Sequence, residues 1–172
     1  MKNTFIPFLF LLGLLLTAAP TCARAAININ TTQPITDSMF VINLANEVER
    51  SHYQELNLDA DHPNLLMPGL PAEEFKTIQT SWVKLHQGLG SYLESHGFDW
   101  KVADKDISIL HKIYFTPTGI VKKYCFKVMN KGVTMAKTEA FSVLAAAYFK
   151  EGHIELVRPS QFAQCGKTRY PN

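Results

Sequence analysis

Residues 106–129 read DISILHKIYFTPTGIVKKYCFKVM, and their period of two decides the fold. Ile107, Ile109, Ile113 and Phe115 share one face of an extended strand, with His111 set among them. Thr116-Pro117-Thr118-Gly119 supplies a four-residue turn, and a second strand follows from Ile120 to Met129. The pattern predicts a β-hairpin. On its second strand Tyr124, Phe126 and Val128 take one face, so Lys123, Cys125 and Lys127 take the other, with Cys125 pointing away from the main core.

Outside the hairpin the apolar period lengthens to that of a helix. From Pro71, the residues Phe75, Ile78, Trp82, Leu85, Leu89 and Tyr92 recur at steps of three and four, with Glu73 and Glu74 near the positive helix end. This predicts a long amphipathic helix stopped at Gly97. The stripe is too short for a coiled coil, and Gly88 and Gly90 interrupt it, so docking on the sheet is the expected use. A further helix over about 135–150 carries Phe141, Leu144, Ala145, Tyr148 and Phe149, and HIELVR at 153–158 reads as a last strand. Upstream, a helix starting near Asp37 would place Phe40, Val41, Leu44, Ala45 and Val48 on one face, and the Asp-, Pro- and Gly-containing residues 53–71 read as a long loop. The expected fold class is α+β, with N-terminal helices packed on a small antiparallel sheet of ββαβ order.

The N-terminus sets the compartment. Lys2, the uncharged run from Phe5 to Ala19, and Ala23-Arg24-Ala25 have the layout of a cleavable secretory signal peptide over 1–25. The run is shorter than the roughly 18–20 residues needed to span a bilayer, so no membrane span is expected after cleavage. Cys22 offers an alternative, lipid anchoring, although Ala19-Pro20-Thr21 before it suits that processing poorly. Cleavage leaves residues 26–172 as a single α+β domain with a periplasmic or secreted location. Losing Lys2 and Arg24 from the 17 basic residues balances the 15 acidic ones. A neutral domain lacks the basic excess that nucleic acid requires.

Cys125 and Cys165 then remain, and an even pair in an oxidising compartment is expected to close as a disulfide. No residue set is assigned to catalysis, and no metal or cofactor is expected. The histidines at 52, 62, 86, 96, 111 and 153 lack zinc-ligand spacing. Asn57-Leu58-Asp59-Ala60-Asp61-His62 opens like a calcium loop but has histidine where that loop needs glycine. Trp82, His86 and His111 are the candidate pocket residues, since the helix stripe and the strand alternation bring all three to the same helix–sheet interface.

The segment 112–121, KIYFTPTGIV, with the helix holding Ala140 to Tyr148, resembles the C-terminal domain of TonB-type energy transducers. TonB-type proteins also share a retained anchor and a proline-rich spacer, which this sequence does not show. The resemblance therefore implies a related ββαβ fold over about 106–158 and a sheet edge able to accept a strand, not energy transduction itself. Three functional expectations follow: an exported non-enzymatic module that binds a protein or peptide, a small-ligand carrier or enzyme with a pocket between the long helix and the sheet, or a disulfide-stabilised secreted inhibitor that presents the loop 53–71. The sequence fixes no oligomeric state.

Overall fold

The computed structural model describes residues 40–172; the signal at 1–25, Cys22 and the leader at 26–36 lie outside them. The order of elements is β1 (Val41–Asn43), α1 (Glu47–Leu56), α2 (Ala72–Ser95), β2 (Asp106–Phe115), β3 (Val121–Val128), α3 (Met135–Lys150) and β4 (Phe162–Pro171). The chain is α+β. Its four strands form one sheet in the order β1-β3-β2-β4. β2 and β3 pair antiparallel through the predicted turn, where Gly119 has φ +84° and a Cβ would run into the Ile154 carbonyl.

The strands depart from expectation in position and direction. Val41–Asn43 is a strand, parallel to Tyr124–Phe126, and not the first turns of a helix. Val41 packs in the main core and Ile42 in the cluster on the opposite face of the sheet, which a period of two achieves and a helix does not. The helix begins only where Asn46 caps it, its Oδ1 accepting from Val48 N–H and Glu49 N–H. The sheet is consequently mixed, not purely antiparallel. The last strand is Phe162–Pro171, whereas 153–158 forms a strap over the hairpin turn. Ile154 N–H donates to Gly119 O at 2.9 Å and Arg158 N–H to Pro117 O at 2.8 Å, so the strap's apolar Ile154 and Leu156 are buried without joining the ladder as a strand.

The main core lies between one face of the sheet and the helices α2 and α3. Ile78, Trp82, Leu85, Leu89 and Leu93 from α2 meet Phe141, Ala145 and Phe149 from α3 over Ile107, Ile109, Ile113, Phe115, Tyr124 and Phe126. Phe75, expected on the stripe, is 46 % exposed because α2 overhangs the core at its first turn. Gly88 permits the α2–α3 approach: a Cβ there would overlap Tyr148 Oη, which donates to Leu85 O at 3.0 Å. On the opposite face, Ile42, Tyr114, Cys125 and Ala163 are covered by Leu44, by Tyr53 and Leu56 of α1, and by Leu58. Residues 53–71 are thus not all loop, since α1 runs to Leu56 and a 3₁₀ turn occupies Leu58–Ala60.

Candidate functional site

Trp82 and His86 of α2 and His111 of β2 are neighbours at the helix–sheet interface. Trp82 lies against Gly166 on β4, where a Cβ would stand 3.0 Å from Nε1, so any larger residue would push the indole outward by a few tenths of an ångström. One helical turn on, the His86 ring is 4.3 Å from Trp82 and 4.2 Å from His111, centroid to centroid. Both histidines are almost wholly buried.

Hydroxyl groups partner these imidazoles. His111 Nδ1 lies 2.8 Å from Tyr124 Oη, and its Nε2 lies 2.6 Å from Thr168 Oγ1. His86 Nδ1 lies 2.7 Å from Tyr170 Oη, while His86 Nε2 is buried without a hydrogen-bond partner. Burial pushes His86 down to about 3, and burial with repulsion from His86 holds His111 well below its ordinary value. Both are therefore neutral at pH 7. Two neutral rings in a hydroxyl-lined core can orient side chains, but with basicity this low they make poor general bases near neutrality.

A cleft of about 940 Å³ opens beside this cluster, between α2 and the end of β4. Trp82, His86 and Tyr170 form its inner wall, Val83, Gln87 and Glu94 its helical rim, and Phe98 and Trp100 one end. His111 is absent from the lining and lies behind His86 and Tyr170. Thr168 and Tyr170 were not foreseen, because FAQCGKTRYP places Gln164, Gly166 and Thr168 on the core-facing side, where an apolar alternation would have announced a strand. The only available signal was Phe162 and Tyr170 at an even spacing.

The cleft adjoins an uncovered sheet edge. β4 pairs with β2 on one side along its whole length. On the other side, Ala163 N–H donates to Pro63 O and its carbonyl accepts from Leu65 N–H, and Cys165 N–H donates to Asn64 Oδ1. The Cys165 carbonyl accepts from Gln164 Nε2 at 2.7 Å. By the period of two, Lys167, Arg169 and Pro171 turn their main-chain groups the same way. Among the described residues, no protein group bonds the outward N–H or C=O of Lys167 or Arg169, and Pro171 has no N–H.

On the α1 side of the sheet, Asp59 accepts from Lys112 Nζ at 2.7 Å and from Tyr114 Oη at 2.6 Å. Burial alone would raise Asp59, but these two donors outweigh it and hold the carboxyl below its ordinary range. This cluster fixes the 3₁₀ turn to β2. Among the described residues, no group of three His, Cys, Asp or Glu side chains could hold a metal ion, and no helix is long and apolar enough to cross a membrane.

Cys125 and Cys165 are both free in this structure. Cys125 does face away from the main core, but the C-terminal strand does not cross over it. Both cysteines are in register with Lys112, one on each side of β2. A strand therefore stands between them, and two interstrand spacings of about 4.8 Å exceed the roughly 7 Å Cα separation that a disulfide bridges.

No protein-family model, curated protein or solved structure matches the chain.

Proposed function

We propose that this chain is an exported module that binds an extended peptide or protein segment by strand addition to β4. The carrying observation is the unbonded outward edge at Lys167 and Arg169 running beside the cleft under α2. Main-chain groups would supply the hydrogen bonds and the cleft would receive alternate side chains. The secretory pattern of residues 1–25 supports the exported location, and the resemblance of 106–158 to TonB-type C-terminal domains supports a sheet of this use. Arg169→Pro tests the reading. It removes one outward N–H and leaves the β2 ladder intact, since proline is tolerated on the solvent side of an edge strand. Peptides selected from a random display library on the native protein should lose at least tenfold in affinity for the variant. Binders indifferent to the proline, or a library that yields none, would sink the proposal.

A second reading is favoured by one observation, the partnerless Nε2 of His86 in a cleft wall shared with Trp82 and Tyr170. The cleft would then hold a small aromatic molecule. Adding p-cresol should shift the NMR signal of the Trp82 indole N–H. An unmoved resonance at millimolar probe removes this reading.

A further inference from the structure

The two sheet faces that meet at the free edge of β4 differ in chemistry. On the α2 side the cleft presents Trp82, Phe98, Trp100 and Tyr170, and its rim carries the carboxylate of Glu94. Asp99 also lines that side, paired with Lys101. On the opposite side, α1 covers only the half of the sheet around Tyr114, Cys125 and Ala163. The other half is open and basic. Lys127 and Lys167 flank Leu110 in register, and Arg169 stands opposite Ser108. All three cations are exposed, Arg169 also borders the cleft at the edge itself, and none enters an ion pair among the described residues. Asp106, in register with Pro171, is the one acid among the strand residues of this face, and Lys112 is already engaged by Asp59.

A strand added beside β4 continues its pleat, so its side chains fall alternately into the cleft and onto the basic face. Resting on the strand-addition reading above, we propose that the partner is an extended segment in which apolar or aromatic residues alternate with Asp or Glu. The apolar set fills the cleft, and the acidic set lies across from Lys167 and Arg169 as cross-strand neighbours. Glu94 repels the same acids from the cleft side, which fixes the peptide's register. Selectivity therefore comes from the opposite signs of charge on the two sides of one edge.

Two dye-labelled peptides test this by fluorescence anisotropy with the purified protein: one alternates Leu or Phe with Glu, the other the same apolar residues with Lys. The Glu peptide should bind at least fivefold more tightly, weaken with added salt, and lose that advantage in the Lys167→Glu/Arg169→Glu double variant. Equal binding of both peptides, abolished by Arg169→Pro, overturns the acidic preference and leaves strand addition standing. Binding unaffected by Arg169→Pro, or no binding of either peptide, overturns both.

Discussion

The imidazoles of His86 and His111 meet in the core at 4.2 Å between centroids, their planes tilted by 50°, and each is held by a tyrosine hydroxyl from a different strand. His86 thereby ties α2 to β4, and His111 ties β2 to β3 through Tyr124 and to β4 through Thr168. Only neutral rings can occupy this arrangement, since burial disfavours a charge on either and each charge would oppose the other.

Acid should therefore unfold the protein earlier than its carboxylates alone would require. The folded value of His86 lies at about 3 against an ordinary 6.5, so between these limits the unfolded chain binds the extra proton. Stability is complete above the ordinary value and falls as pH drops, by about 1.4 kcal/mol per pH unit for each histidine kept neutral. Urea midpoints measured from pH 7 to pH 4 should show this slope, and His86→Phe should make it shallower. A flat profile would mean the core admits the charge.

Gly88→Ala should destabilise the fold despite the better helix propensity of alanine. The added methyl overlaps Tyr148 Oη, and overpacking of this kind costs about 1–3 kcal/mol, against a gain of about 1 kcal/mol from propensity. Adding Tyr148→Phe removes the colliding hydroxyl and should recover much of the loss. Thermal unfolding of the two single variants and the double variant measures the coupling; additive effects would place the cost elsewhere.

The two strand cysteines should differ sharply in reactivity. Burial pushes the Cys125 thiol up to about 12, whereas Cys165 is only partly covered. Alkylation of the native protein followed by peptide mass mapping should label Cys165 well before Cys125, with Cys125 reacting on unfolding. Recovery of a Cys125–Cys165 linked peptide from the native protein would require a register other than the one described.

The hairpin and the long helix were legible because each carries a full apolar face: Ile107 to Phe115 at period two, Ile78 to Leu89 at steps of three and four. The same two patterns put Trp82, His86 and His111 at one helix–sheet interface, but they carry no sign that His111 lies behind the cleft wall and not in it. β1 was misread because, over so short a stretch, Phe40, Val41, Leu44 and Ala45 satisfy helical spacing as well as strand alternation, and only pairing with β3 separates the two. β4 was missed for a different reason: its core face is built from Gln164, Gly166 and Thr168 to suit an indole and an imidazole, so the polarity that makes the site conceals the strand. The cysteine separation likewise depends on strand order, which alternation along one strand does not encode.

The short segment at Pro63–Leu65 has a consequence beyond holding the first part of β4. An uncapped edge of ten residues would be a template on which identical copies could stack without limit, the geometry of fibre growth. With Ala163 and Cys165 already occupied at one end and Pro171 unable to donate at the other, the remaining window spans only the residues from Lys167 to Arg169. Two cations flank that window, so a second copy laid against it would bring like charges together. A free edge this short, carrying two cations, disfavours open-ended pairing of identical copies.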